Sequence, residues 1–386
     1  MERIAMSFIS KFKQPHDSTP AISPILSVLI AATEYYQYHL NKDDLAKRYL
    51  REERGFDDAT IEKFQMGLSP NGFNQLTSQK NNQVWQARIQ RSLDKKMDRE
   101  SLSNIAIDLM ELSGLLRTNS EGSFTDRFRG RIVMPIKDEN GNTISFGGRV
   151  FNSEFNHPDA PKYLNGSDTL CFKKRDVVFG LHLLDKSKEY SCIYLTEGYM
   201  DVASMSQFGV DGAVCGMGTS ITESQLEKIF SYTNHICFCY DGDKAGKKAA
   251  TRAATVILPL LSGSRNASFA FLPDGEDPDS LLRQGKTQYT QMDYEIGREH
   301  LLHSLDAAEP IESVLESIAI LNCEESWSSN PSLVIAHLLH YVSSMPANSQ
   351  VANEIRTKIQ IHANQKSRSM DGLSNEQMIN FVRNMS

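Results

Sequence analysis

The 386-residue chain reads as an α/β protein, α+β overall: a parallel sheet with helices, preceded by a mixed basic region and followed by a helical tail. Three observations predict this. Between Cys192 and Asp279, short apolar runs alternate with helical patterns, the order that builds a parallel sheet covered by helices. Three of those runs end in carboxylates: Ile193–Thr196 before Glu197, Ile236–Tyr240 before Asp241 and Asp243, and Phe269–Leu272 before Asp277 and Asp279. Upstream, bases cluster around a hairpin signal, and past Asp279 the pattern is helical throughout.

Taken in order, residues 1–24 carry Pro15, Pro20 and Pro24 and read as a leader or linker. Residues 25–185 form the mixed basic region. Ile25 to about Leu40 has helical periodicity with Tyr35, Tyr36 and Tyr38, and Asp43–Glu53 is a charged helix stopped at Gly55. Asp57–Phe64 is a short helix, Gln65–Pro70 a strand and turn, and residues 71–112 are expected to be helical. The strand Ile132–Ile136 turns at Asn140-Gly141 and returns as Thr143–Phe146, running into Gly147-Gly148-Arg149.

From Arg127 to Arg175 nine bases (Arg127, Arg129, Arg131, Lys137, Arg149, Lys162, Lys173, Lys174, Arg175) sit mostly at strand ends and beside glycines. That placement suits a ridge contacting phosphates, with Tyr163 and Phe172 available for base stacking. A solvated charged surface is the alternative.

In residues 186–290, strands at 193–196, 212–215, 236–240 and 269–272 alternate with helices at 200–208, 222–232 and 245–261. The carboxyl ends of parallel strands share one edge, where ligands bind. Glu197, Asp241, Asp243, Asp277 and Asp279 are therefore expected to converge there. Carboxylates so gathered repel one another unless a hard cation sits among them, and Mg2+ suits such oxygen donors. The alternative is that acidic strand ends are merely helix caps. In residues 291–386, Ile311–Leu321 and Ser332–Val342 have amphipathic spacing and should pack as a small bundle. His337 and His340 lie three apart on one helix and read as structural.

Net charge is −7, so whole-molecule charge does not drive nucleic-acid binding and a local patch must carry it. The six cysteines form no C-x2-C pair and no zinc-ligand spacing, so no zinc is expected and the thiols should be free. No apolar run approaches the length of a membrane span, and a cytoplasmic location is expected.

Glu197-Gly198-Tyr199-Met200-Asp201-Val202, Asp241-Gly242-Asp243-Lys244-Ala245-Gly246 and Leu272-Pro273-Asp274-Gly275-Glu276-Asp277-Pro278-Asp279 resemble the TOPRIM motifs of bacterial DnaG-type primases. Those motifs alone would fit any TOPRIM protein. Arg127-Phe128-Arg129-Gly130-Arg131, Phe146-Gly147-Gly148-Arg149, Pro161-Lys162-Tyr163-Leu164-Asn165, Phe172-Lys173-Lys174 and Tyr49-Leu50…Arg54-Gly55 are similar to the primase amino-terminal subdomain. The likeness covers roughly residues 25–290.

The resemblance implies template-directed synthesis of short RNA primers on single-stranded DNA by a DNA-directed RNA polymerase, a nucleotidyltransferase. It implies that Glu197, Asp241 and Asp243 are catalytic and hold Mg2+ or Mn2+, with Asp277 and Asp279 in the metal-binding region and Asp201 and Lys244 close by. It also implies that Arg54, Arg129, Arg131, Arg149, Lys162 and Lys174 bind template and nucleotide phosphates. Implied partners are single-stranded DNA, ribonucleoside triphosphates, and a replicative helicase or a zinc-domain protein acting in trans. The sequence shows no Cys/His pattern like the family's zinc-binding domain and no Walker A motif, and the helicase-binding domain usual in the family is not expected within these residues, which read either as a piece of a longer protein or as a core whose other functions a partner supplies. The competing readings are a TOPRIM nuclease and a non-catalytic nucleic-acid-binding protein.

Overall fold

The computed structural model describes residues 22–367 apart from 95, 120–121, 153–159, 219, 242–243, 284–290 and 324–330. Residues 1–21 of the expected leader, and Gly242 and Asp243 after the apolar run Ile236–Tyr240, lie outside the described residues. The chain divides into two compact units, Met1–Asp185 with Val202–Val210, and Lys186–Asp201 with Asp211–Ser386.

The first unit opens with helix α1, Ile22–Lys42, three residues before the expected start. Its buried positions Ile25, Val28, Leu29, Ala32 and Tyr36 recur at helical spacing and pack in one core with Trp85, Ile89, Leu102, Ala106 and Phe146. Each such side chain contributes roughly 1.5–3 kcal/mol when fully buried. Tyr36 meets Phe146 edge to face at 5.3 Å and so ties the helix to the sheet. Helix α2, Asp44–Arg48, runs into a wider turn at Tyr49–Glu53, and helix α3, Asp58–Lys63, follows.

The stretch 71–112, expected to be helical, holds helix α4, Gln83–Leu93, and helix α5, Arg99–Leu112, but opens with a loop and a short 3-10 turn at Thr77–Asn81. The reason is tertiary. The buried Asp126 carboxylate accepts from the amides of Leu76 (2.7 Å) and Thr77 (3.2 Å), fixing the loop from fifty residues away. Asn82 and Asp98 then cap α4 and α5.

Strands β1 (Gly67–Ser69), β4 (Arg131–Lys137), β5 (Thr143–Val150) and β6 (Tyr163–Asn165) form an antiparallel sheet in the order β1-β4-β5-β6. Strands β2 (Leu116–Thr118) and β3 (Phe124–Asp126) pair as a separate ribbon, and β7 is Val178–Phe179.

The second unit is the predicted parallel sheet. Strands β8 (Ile193–Thr196), β9 (Ala213–Gly216), β10 (His235–Tyr240) and β11 (Asn266–Phe271) pair in parallel, in the order β11-β10-β8-β9. Helix α6 (Tyr199–Gln207) follows β8, α7 (Glu223–Phe230) follows β9, and α8 (Lys244–Ile257) follows β10. The apolar run of β10 is buried along almost its whole length, as a strand covered on both faces must be, and Phe238 stacks on Phe269 at 4.7 Å.

Helix α8 stops short of the expected Leu261. Pro259 cannot continue the hydrogen-bond ladder, and residues 258–260 form a 3-10 turn instead. Helices α9 (Pro278–Leu282), α10 (Gln291–Asp306), α11 (Ile311–Cys323), α12 (Pro331–Ser343) and α13 (Gln350–Ser367) complete the tail. A short strand β12, Glu309–Pro310, interrupts them and pairs antiparallel with β11. It escapes sequence reading because a two-residue strand has no period.

Candidate active site

The acidic edge is built by strand register. Parallel neighbours β8 and β10 align Leu195 with Phe238, so the residues just past each strand, Glu197 and Asp241, emerge together. The Glu197 carboxylate accepts from the Asp241 amide at 3.4 Å. Helix α8 then closes tightly over the strand end. A Cβ on Gly246 would lie 2.1 Å from the Asp241 carbonyl oxygen, so only glycine lets the helix start there.

Asp201, in the first turn of α6, is buried, and its carboxylate accepts from the Gly198 amide at 3.0 Å. Burial, followed by the charges of Asp277, Asp279 and Asp241, holds its carboxyl well above the usual range. These four carboxyl groups therefore share one neighbourhood. Two of them also have structural work. Asp277 caps α9 by accepting from the Ser280 amide at 2.6 Å, and fully buried Asp279 pairs with Arg283 at 3.0 Å. The helix-cap reading of acidic strand ends thus describes Asp277.

Among the described residues no three His, Cys, Asp or Glu side chains stand close enough to hold a metal ion. Asp243 lies outside those residues, and nothing is described of the Lys244 side chain. Glu197, whose carboxylate meets the Asp241 backbone, and Asp241 itself have side chains that offer oxygen alone. A cation that keeps most of its waters and needs only one or two carboxylates, as Mg2+ does, fits that set.

The basic face belongs to the first unit. Arg54 ends the wide turn after Tyr49, with its amide bonded to the Tyr49 carbonyl at 2.9 Å. Gly55 follows at φ 68°, in the left-handed region that glycine adopts freely. The Gln207 side chain holds this corner by donating to the Gly55 carbonyl and accepting from the Asp57 amide, each at 2.9 Å.

Arg149 is buried. Its Nε donates to the Tyr49 hydroxyl at 2.8 Å, a second nitrogen bonds the Tyr163 hydroxyl, and the guanidinium lies 5.0 Å over the Tyr163 ring. Lys162 sits 5.8 Å from the same ring. Arg131 is buried as well, donating to the carbonyls of Gly148 and Lys162 at 3.4 and 3.3 Å, so it straps β4 to its neighbours. Lys174 stays half exposed beside Asp168, 3.9 Å away.

One expected stacking ring is corrected. Phe172 is 0% exposed, because the Thr169 hydroxyl accepts from the amides of Cys171 and Phe172 and turns the ring into the core. Tyr163 remains partly exposed.

Phe73 was missed by sequence reading. Its ring is 64% exposed, and its loop is tied to β3, where the Asp126 amide donates to the Phe73 carbonyl at 2.7 Å. The Arg129 guanidinium lies 4.6 Å over the ring and is itself anchored to the Asp126 carbonyl at 2.9 Å. Arg127 is half-buried nearby, bonded to the Asn165 carbonyl at 2.8 Å, and burial, then the charge of Arg117, disfavours its cationic form. An aromatic ring presented to solvent beside an arginine is the kind of surface on which unpaired bases stack. The available signal was an aromatic directly after Asn71-Gly72, inside a stretch otherwise read as helix.

The chain matches the family described as DNA primase catalytic core, N-terminal domain, over residues 35–185, and a Toprim-like family over residues 194–282. It is 39% identical over 260 residues to a DNA primase of Pasteurella multocida, an alignment covering 67% of this chain and 40% of that protein. The chain thus spans well under half the length of that relative. Among solved structures it is similar to the Escherichia coli primase catalytic core, at 30% identity and a TM-score of 0.69, covering 87% of this chain and 96% of that one. It is also similar to a DnaG primase catalytic domain bound to single-stranded DNA, at 29% identity and a TM-score of 0.70, covering 88% and 98% of the two chains.

Proposed function

The chain belongs to the family of bacterial DnaG-type primases, matching their catalytic core, and on that premise we propose that it joins ribonucleotides into short RNA primers on a single-stranded DNA template. The observation that carries the proposal is the meeting of Glu197 and Asp241 at the carboxyl edge of two parallel strands.

In this reading the growing chain's 3′-hydroxyl attacks the α-phosphorus of a ribonucleoside triphosphate. A phosphodiester bond forms, pyrophosphate leaves, and the hydroxyl proton passes to solvent. The enzyme is then a nucleotidyltransferase, a DNA-directed RNA polymerase. Glu197, Asp241 and Asp243 would hold Mg2+ or Mn2+, with Asp277 and Asp279 adding negative charge nearby. When bound, the metal stabilises the charge on the attacking and leaving oxygens. Gly246 keeps Asp241 at the edge by letting α8 begin there.

Arg129 and Phe73 would stack template bases, and Lys162 and Lys174 would neutralise phosphates, with the buried Arg54, Arg131 and Arg149 contributing mainly by holding the turn and strands of the basic face. A replicative helicase or a zinc-domain protein acting in trans completes the partners we propose. Among the described residues no helix is long and apolar enough to cross a membrane, and we assign the protein to the cytoplasm.

The test is primer synthesis on single-stranded DNA with labelled ribonucleotides and Mg2+ or Mn2+, comparing the unmodified protein with Asp241→Asn. Short RNA from the first and none from the second is expected. Template cleavage without nucleotide addition would replace the proposal with a nuclease. DNA binding with neither activity would leave a binding protein.

A further inference from the structure

Toward the amino ends of the parallel strands, away from the acids, the sheet gathers thiols. Strands β8 and β10 pair Ile193 with Ile236 and Tyr194 with Cys237, and just before them a bridge pairs Tyr190 with Thr233 in the same register. Cys192 therefore lies opposite His235. Side chains alternate along a strand, so Cys192, Tyr194, His235, Cys237 and Cys239 share one face. On the other side of β10, Ser268 of β11 sits opposite Cys237.

Two of these thiols touch. Those of Cys192 and Cys237 are hydrogen-bonded to each other, diagonally across the two strands. Cys237 is also bonded to the Cys239 thiol and the Ser268 hydroxyl, and that hydroxyl lies 2.9 Å from His235 Nε2. These contacts, the Cys192 thiol first, hold Cys237 well below the usual thiol range. The bond to Cys237, then burial, pushes Cys192 up. The negative charge of the pair thus falls on Cys237. Access runs the other way, since Cys192 is half-buried while Cys237 is 2% exposed. Neither thiol has a role in joining nucleotides.

The diagonal sets what a bond between them would do. Parallel strands lie about 4.8 Å apart and advance about 3.3 Å per residue, so Cys192 and Cys237, two residues out of line, have Cα atoms about 8 Å apart. A disulfide spans about 4.4–6.8 Å between Cα atoms, so closing one takes a shift of about 1 Å or more between the strands. Glu197 follows β8 directly and Asp241 follows β10, and the Glu197 carboxylate reaches the Asp241 amide at 3.4 Å. That contact has no slack for such a shift.

We propose that Cys192 and Cys237 form a redox switch: an oxidant of the peroxide class links them, and the disulfide pulls β8 out of register with β10 and parts Glu197 from Asp241. Its effect on activity rests on the polymerase reading. The Cys192 sulfur attacks one oxygen of hydrogen peroxide. The O–O bond breaks, the thiol proton leaves with the departing hydroxide as water, and Cys192 becomes a sulfenic acid. The Cys237 thiolate then attacks that sulfur. An S–S bond forms, the S–O bond breaks, and the hydroxide takes up the proton that Cys237 released. Two thiols lose two electrons and the peroxide is reduced to two waters. A disulfide strained in this way is reduced easily by a small thiol, so the switch reverses.

The test treats the whole chain with hydrogen peroxide and removes the excess. Thiols are counted in denaturant, linked peptides are mapped by mass spectrometry, and melting temperature and primer synthesis are measured before and after dithiothreitol. The six thiols should fall by two, with one linked peptide pair carrying Cys192 and Cys237. Primer synthesis should drop by at least about tenfold and the melting temperature by several degrees, both returning with dithiothreitol. Cys192→Ser, at a half-buried position, should match the unmodified protein before oxidation and keep its activity afterwards. Cys171→Ser, outside the pair, should respond as the unmodified protein does.

Survival of all six thiols, or a link that omits Cys192 or Cys237, would overturn the proposal. So would a Cys192–Cys237 link that leaves both melting temperature and primer synthesis unchanged. A protein that makes no RNA even before oxidation fails the polymerase reading alone, because the link and the fall in melting temperature are still required of the switch.

Discussion

Glu197 and Asp241 meet because two parallel strands are in register, whereas Arg131 and Arg149 are held because their guanidinium groups are bonded inside the antiparallel unit. In the first case the backbone does the positioning, since strand register brings the Asp241 amide to the Glu197 carboxylate. In the second the side chains do it, and part of their hydrogen-bonding capacity is used for support. Asp241 can thus be replaced with less damage to the fold than Asp277 or Asp279, which cap a helix and form a buried ion pair. Cations in the basic face divide into those that hold the structure and those that only face solvent.

The largest expected effect tests the acidic side. Asp241→Asn should reduce primer synthesis by about a thousandfold, roughly 4 kcal/mol of transition-state stabilisation. Its melting temperature should be equal or higher, since a charge that presses on Asp201 is removed. A large fall in melting temperature would show that the edge is structural after all.

On the basic side, Arg149→Ala should lose about 2–3 kcal/mol of folding stability in denaturant titration, because the Tyr49 hydroxyl is left without its donor. Phe73→Ala should leave stability nearly unchanged and weaken single-stranded DNA binding by about 1–3 kcal/mol, read by fluorescence anisotropy. Lys162→Ala sharpens the contrast. Its melting curve should be unaltered, while the slope of log K against log salt falls by about one phosphate contact. An Arg149 variant of normal stability, or a destabilised Lys162 variant, would break the division between supporting and contacting cations.

The smallest effect concerns a carboxylate away from the edge. Glu312 is 8% exposed, and burial, then neighbouring Glu354, raises its pKa from 4.5 to about 6. Between those values the folded chain binds more protons than the unfolded one. Its stabilising contribution is therefore complete below about pH 4.5 and lost as pH rises through about 6. Glu312→Gln should stabilise the protein at pH 7 by on the order of 1 kcal/mol and flatten stability across that window. A destabilised variant at pH 7 would mean that the Glu312 charge is compensated.

Much of the second unit was legible beforehand. Its strands are short, mostly apolar and followed by acids and glycines, and burial on both faces demands that composition. Glu197 and Asp241 could be placed at one edge from this pattern alone. The other roles of Asp277 and Asp279 could not, because a cap and an ion pair depend on where α9 begins. In the first unit the hairpin Arg131–Val150 was legible from its Asn-Gly turn. Residues 71–82 were not, because Asp126, remote in sequence, holds that loop and with it Phe73.

By itself, then, the sequence determined the alternation of strands and helices, the acids at the strand ends and the family to which the chain belongs. These follow from local periodicity and from residue types that a buried strand or a phosphate-handling edge requires. Tertiary structure decided which cations are buried, and that Phe172 turns inward while Phe73 faces solvent. Exposure and free volume depend on which distant segments pack together, and periodicity along one segment carries no record of its partners.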